Sequence, residues 1–347
     1  MRVLVSAFEH SANIHLGALL NALQEDIELV GVFSERYGDP LIDMSTVSIM
    51  GVVDALKNLR FFFRLRDDML TLAEDVDKVL LIDSSGFNLP LAKKLRKTYP
   101  DLEIIYYILP QAWAWKRGRI PVLERTVSKL CSILPFEPSY YGKNAPIEYV
   151  GHPLLDEIVL YKTEPTRNGI VAFMPGSRPG EIKRLMPVFR EVRARLDIEA
   201  RLIVPENFSQ EKIADLYGDT TDFDIFHNAH KTLFESDFAF ICSGTATLEA
   251  ALIGVPFILA YKAKALDYAI GSRLVKLPYV GLGNIMFDKM GKKEPLHPEF
   301  LQEAVTAQNL LRAYERMDRA RFFNDARRLK RYLGGGSSKN MAKILTS

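Results

Sequence analysis

Short apolar runs of strand length recur along the first part of the chain, as RVLVSAF, ELVGVF, KVLLID, EIIYYIL and CSILPF, with segments of helical periodicity between most of them. That alternation predicts a parallel sheet flanked by helices. A polar stretch, YKTEPTRNG, then reads as a linker around 160–168, and a second series follows: GIVAFMPGSR, ARLIVP, FDIFHN, DFAFICSGT and VPFILAY. The predicted fold is α/β, with two Rossmann-like, doubly wound domains facing a cleft: residues 1–160, residues 161–320, and a C-terminal helical tail over 321–347. The tail carries a Gly-Gly-Gly-Ser-Ser hinge and is expected to cross back to the first domain or to a partner subunit as a homodimer.

At 347 residues the chain exceeds what one core usually organises, which agrees with two domains. A formal charge of +2, from 45 basic and 43 acidic residues, argues against a dedicated nucleic-acid surface. Cys131 and Cys242 lie in apolar runs without metal-ligand spacing, so buried free thiols in a reducing cytoplasm are expected. No apolar run is long enough to span a bilayer, so any membrane contact is expected to be peripheral.

In open α/β sheets ligands sit beyond the carboxyl ends of strands, at loops leading into helix N-termini. The stretch CSGTATLEAAL has that form. Ser243 and Gly244 permit a tight turn, Thr245 is placed to cap the helix, Thr245 and Thr247 add hydroxyls, and Glu249 sits where it can accept from a ribose; the plainer alternative is a capping threonine and a dipole-favoured acid. In FMPGSRPGEI, Gly176 ends a strand, Ser177 is placed to cap, Pro179 suits the first helical turn, and Arg178 either meets a diphosphate or pairs with Glu181 on the surface. In LLIDSSGFNLPLA, Asp83 at a strand end is either a general base or the organiser of the Ser84-Ser85-Gly86 turn, and Asn88 either caps the next helix or touches a sugar. The first loop offers Glu9, His10 and Ser11, with His10 a second candidate base.

LPQAWAWKRGRI places Trp113 and Trp115 close to Gln111, Lys116, Arg117 and Arg119, either as core or as a wall that meets a sugar or phosphate. His152, in VGHP, either donates to a ligand or stabilises the domain junction. MGVVDALKNLRFFFRLRDDML can be written as a helix whose Phe61, Phe62 and Phe63 cannot all face one core; with Arg60 and Arg64 they form a candidate membrane or acyl-chain contact. YKAKALDYAIGSRLVKLPYVGLGNIMF is a second basic and apolar candidate.

Together these segments resemble the lipid-A-disaccharide synthase family, inverting glycosyltransferases of the GT-B type. MGVVDAL, LIDSSGFNLPLA, LPQAWAWKRGRI, LPFEPSYY, YVGHPLLD, MPGSRPGEI, SGTATLEAAL and YVGLGNI occur in family order from residue 50 to 286. The resemblance implies transfer of 2,3-diacylglucosamine from UDP-2,3-diacylglucosamine to 2,3-diacylglucosamine 1-phosphate, with UDP released, at an inner-membrane surface. It further implies Asp83 as base, Arg178 as diphosphate partner, Ser243, Gly244, Thr245 and Glu249 at the UDP site, and Asn284 on the same cleft. The first loop departs from the family's Gly-Glu-x-Ser-Gly-Asp: Glu9 and Ser11 are kept, while Phe8, Ala12 and Asn13 replace the glycines and the acid. Asp75 and Asp77, and Asp222 and Asp224, read as solvated acids, so neither metal nor cofactor is expected. The alternatives are another UDP-N-acetylglucosamine enzyme or an epimerase of this architecture, or a non-catalytic nucleotide-sugar-binding protein at the membrane. Absence of GxGxxG after the first strand argues against a nicotinamide dehydrogenase.

Overall fold

A computed structural model describes residues 1–43, 59–263 and 277–347, apart from the side chains of Leu59 and Trp115. The chain divides into two units, Met1–Glu157 with Leu333–Ser347, and Ile158–Tyr332. The sequence reading set its boundary at 160 and began its tail at 321.

In the first unit, β1 (Arg2–Ala7), β2 (Glu28–Phe33), β3 (Ile42–Asp43), β4 (Lys78–Ile82), β5 (Glu103–Tyr107), β6 (Lys129–Ser132) and β7 (Ile147–Tyr149) form a sheet in the order β3-β2-β1-β4-β5-β6-β7. Every pairing is parallel. The helices are α1 (His10–Ala22), α2 (Leu59–Leu72), α3 (Ser85–Thr98), α4 (Ala112–Trp115), α5 (Ile120–Thr126) and α6 (Leu154–Glu157). Parallel strands need cover on both faces, and β1 shows how the sequence supplies it. Val3, Val5 and Ala7 pack with Ala12 and Leu16 of α1, whereas Leu4 packs with Leu65 and Met69 of α2 and Leu95 of α3.

The second unit repeats the plan with β8 (Ile170–Met174), β9 (Glu199–Ile203), β10 (Asp224–Phe226), β11 (Phe238–Ile241), β12 (Phe257–Tyr261) and β13 (Glu299–Leu301), ordered β10-β9-β8-β11-β12-β13. Its helices are α7 (Pro179–Arg193), α8 (Gln210–Tyr217), α9 (Ala229–Glu235), α10 (Ala246–Ile253), α11 (Leu282–Lys289), α12 (Ala307–Arg316) and α13 (Arg319–Leu333). Phe173 and Phe240 stack across neighbouring strands at 5.2 Å in the core beneath α7. In each sheet the winding reverses beside the first strand, between β1 and β4 and between β8 and β11, and there the following loops diverge to leave room for a ligand.

The last helix, α14 (Ser337–Thr346), belongs to the first unit, one of the two destinations left open by the sequence. Met341 and Leu345 enter the core shared by β1 and α1. Its start is held from outside: the Asp156 carboxylate accepts from the amides of Gly336 at 2.7 Å and Ser338 at 2.8 Å, and Tyr107 shares a hydrogen bond with Ser337 at 2.8 Å.

Candidate functional site

In the second unit, the register Ile241↔Met174 sets the ends of β11 and β8 side by side, and the Cys242 amide donates to Met174 O at 2.7 Å. The loops that follow open on one cavity of about 510 Å³, lined by Gly176, Ser177, Arg178, Ser243, Gly244 and Thr245. Val204 and Pro205 after β9, and His227 and Ala229 after β10, complete the lining. Gly176 has φ +100°, and a Cβ there would meet Glu181 Oε2 at 2.7 Å, so glycine is required by both conformation and space.

Thr245 does not cap α10, contrary to expectation: it is already helical, at φ −59° and ψ −30°, and its hydroxyl makes no capping bond. The Gly244 carbonyl takes that place, accepting from the Thr247 amide at 3.3 Å and hydroxyl at 2.8 Å. Thr247 is therefore buried and committed to the loop. Among the described residues, no acceptor engages the amides of Gly244, Thr245 or Ala246, so they remain donors at the mouth of the cavity. Ser177 likewise makes no cap; Arg178 is the extended residue that opens α7, with Pro179 first in the helix as expected. The Arg178 side chain is 80% exposed and donates to Oε1 of the buried Glu181 at 3.1 Å. Glu249 lies 3.5 Å from His230 Nε2 with its carboxylate 18% exposed, one turn beyond the free amides. Asn284 is placed differently: fully buried, it donates to His297 O and Glu299 Oε1 and accepts from the His297 amide, fastening α11 to β13.

The reversal in the first sheet holds Asp83. The register Ala7↔Ile82 puts Phe8 and Asp83 in adjacent positions beyond β1 and β4. Asp83 and Ser84 both adopt left-handed backbone, at φ 49° and 41°, a strained arrangement that the surroundings must enforce. Asn88 does so: its Nδ2 donates to Asp83 O at 2.8 Å and Ile82 O at 3.1 Å, while Oδ1 accepts from Ser6 at 2.6 Å. Tyr106 adds a bond to Asp83 O at 2.7 Å. Asn88 is thus fully buried and orients the turn instead of meeting a sugar. Burial first, and then the negative charge of Glu9, raise the Asp83 carboxyl above its ordinary value.

Glu9, His10 and Ser11 are exposed, and Glu9 accepts from the Ser84 hydroxyl at 3.3 Å. Asn13 is buried, donating to Ala7 O and Glu9 O and accepting from the Ser34 amide. A carboxylate would lack those two donor hydrogens, so the neutral residue serves the loop's own geometry. Phe8 packs on Phe87 at 4.5 Å and on Phe62 at 5.9 Å, which orients Phe62 inward and leaves Phe61 and Phe63 exposed beside exposed Arg60 and Arg64.

Trp113 is buried against Phe136 and Tyr140, while Gln111 is exposed. The Trp115 side chain, the MGVVDAL segment and residues 264–276 of the second basic and apolar stretch lie outside the described residues. His152 is buried at the end of the first unit: its amide donates to Gly334 O, its Nδ1 accepts from the Leu154 amide, and burial lowers its imidazolium to about 4, which makes it a neutral structural residue. Both cysteines are buried free thiols.

Sequence reading missed His227 in the lining of the cavity, His230 beside Glu249, and Glu299, which accepts from the amides of Val280 and Gly281 and so shapes the turn before α11. It also left Arg119 without a position; its guanidinium donates to the Ser85 hydroxyl beside Asp83. A histidine-bearing segment just past β10 was the available signal.

A family model described as lipid-A-disaccharide synthetase matches residues 3–338. The lipid-A-disaccharide synthase of Helicobacter pylori (strain HPAG1) is 46% identical over 98% of this chain and 96% of its own length, and that of Campylobacter jejuni (strain RM1221) is 46% identical over 99% and 98%. Among solved structures, Acinetobacter baumannii MurG superposes with TM-score 0.60 at 13% identity, covering 99% of both chains. The calicheamicin glycosyltransferase CalG4 gives 0.61 at 14%, covering 99% of this chain and 97% of its own. A UDP-GlcNAc 2-epimerase from Neisseria meningitidis gives 0.62 at 12%, covering 100% of both. At such identities these likenesses show the GT-B fold alone, and since transferases and epimerases both share it, the fold does not choose between them.

Proposed function

The chain belongs to the lipid-A-disaccharide synthetase family, and on that premise we infer that it joins two acylated glucosamines, transferring 2,3-diacylglucosamine from UDP to 2,3-diacylglucosamine 1-phosphate. The observation that carries the assignment of roles is the common cavity of Gly176, Ser177, Arg178, Ser243, Gly244 and Thr245, with amides available to an anion. There the diphosphate of the donor is received by main-chain N–H groups and Arg178, and Glu249 accepts from the ribose. Asp83 removes the proton from the acceptor 6-hydroxyl as that oxygen forms its bond to the anomeric carbon. The bond from that carbon to the diphosphate breaks on the opposite face, UDP departs with the electron pair, and the anomeric configuration inverts. The raised Asp83 value suits a base that must hold the proton it takes. Asn88 and Tyr106 act as positioning residues, since both bind the Asp83 carbonyl.

Among the described residues no helix is long and apolar enough to cross a membrane. The enzyme reaches its lipid substrates from the cytoplasmic side of the inner membrane, with Phe61, Phe63, Arg60 and Arg64 meeting the surface. The test is to supply UDP-2,3-diacylglucosamine with 2,3-diacylglucosamine 1-phosphate and identify the product by mass spectrometry. A β-1,6-linked disaccharide 1-phosphate formed in step with UDP is expected; a 2-epimer of the donor, or transfer only to unacylated acceptors, would overturn the reading.

A further inference from the structure

The helix α13 is amphipathic in an uneven way. Phe322, Phe323, Ala326 and Leu329 are buried, while Arg321, Arg327, Arg328 and Arg331 are exposed. Two of these cations are neutralised, Arg321 by Glu294 and Asp325, and Arg328 by Asp325. Arg327, Lys330 and Arg331 form no ion pair among the described residues. Together with Lys162 they line a groove of about 320 Å³ whose floor is Ala251, Leu252 and Gly254 at the end of α10, away from the mouth of the nucleotide cavity.

Lys162 makes the groove more than a charged surface. It is 7% exposed, and its ammonium donates to the Thr166 hydroxyl at 2.6 Å and lies 5.7 Å from the Phe234 ring centre. Burial lowers its ammonium to about 8, against the opposing pull of Asp237, and burial lowers Lys330 as well. Lys162 also lines an adjoining hollow with Glu164 and Glu235, of which Glu235 is paired with Arg201, and no carboxylate forms an ion pair with Lys162 among the described residues. A desolvated cation without a carboxylate is costly unless an anion completes it. Beside it, Val159, Leu160 and Tyr161 are 80%, 37% and 48% exposed, and Lys330 Nζ stands 3.1 Å above the Tyr161 ring.

Exposed aliphatic and aromatic side chains next to unpaired cations are the combination that a charged lipid interface accepts. We propose that this groove docks the phosphate headgroups of an anionic phospholipid surface on Lys162, Arg327, Lys330 and Arg331, with Val159, Leu160 and Tyr161 entering the interface beside them. It is a contact of the second unit, separate in residues from α2 and from the transfer chemistry.

Co-sedimentation of the full chain with vesicles tests it, comparing phosphatidylcholine alone with phosphatidylcholine containing phosphatidylglycerol, in the absence of substrate. Each cation removed at a lipid surface weakens binding about fivefold. The triple variant Arg327→Gln, Lys330→Gln, Arg331→Gln is therefore expected to lose on the order of a hundredfold in partition to the anionic vesicles, with detergent-solubilised turnover unchanged. Arg331→Gln alone, at an exposed position, should lose about fivefold and covers the case in which the triple variant does not fold. Undiminished binding of the folded variants to anionic vesicles would overturn the proposal. So would stabilisation by inorganic phosphate without any vesicle preference, which would mark a free-anion site. Failure of the transfer assay in the wild type would bear on the proposed reaction only, because vesicle partition is read without it.

Discussion

Asp83 carries two kinds of information at one position: a backbone conformation that disfavours any side chain, and a carboxyl raised by burial and by Glu9. The first reports that the turn is built at a cost, and the second that the group holds a proton more tightly than a surface aspartate. Because a negative neighbour disfavours the ionised form, Glu9→Gln should lower the Asp83 value. The acid limb of kcat/KM should then move to lower pH, with activity persisting further into acid; a limb that stays put or moves up would show that Glu9 does not act on the base. Asp83 was legible in the sequence only as a choice, since a carboxylate closing an apolar strand is either a base or the organiser of the turn that follows. Asn88 was not, since a side chain that bonds the carbonyl of a residue five positions earlier cannot be told from one that faces a ligand until the turn is seen. Thr245 was misread for a related reason: a threonine before a helix resembles a cap, and only its helical backbone shows that the helix has already begun.

Two elements are held by acids that no strand or helix pattern reveals. The Asp156 carboxylate in α6 receives two amides at the start of α14, so Asp156→Ala should cost about 1–3 kcal/mol and lower the melting temperature, while Met341 and Leu345 keep the helix on its core. An unchanged melt would show that packing alone fixes the helix. After β6, Glu137 is buried and accepts from Ser132 at 2.5 Å, and burial pushes its carboxyl up to about 8. A carboxyl raised in the folded state contributes stability that is complete below the unfolded value of 4.5 and is lost as pH climbs through about 8. Wild type should therefore lose stability relative to Glu137→Gln between those limits, by on the order of 1 kcal/mol per pH unit at most. Parallel melting curves for the two proteins across that window would contradict the burial argument.

For the molecule as a whole, the long strands and the two successive sheets were readable because apolar runs of adequate length alternate with helical spacing. β3, β7 and β13 were not, being two or three residues long and defined by their neighbours more than by their own composition. The cavity beyond β8 and β11 was half legible: its glycine-bearing loops are written in order, whereas Pro205 and His227 join it only because β9 and then β10 follow β8 in the sheet. What this arrangement claims is a division of labour, with donor recognition in one unit and proton removal in the other. The direct test is to titrate UDP into Asp83→Asn by calorimetry and measure turnover of the same preparation. Affinity for UDP should match wild type while turnover falls about 100- to 10,000-fold; turnover near wild type, or UDP binding lost together with it, would contradict the division.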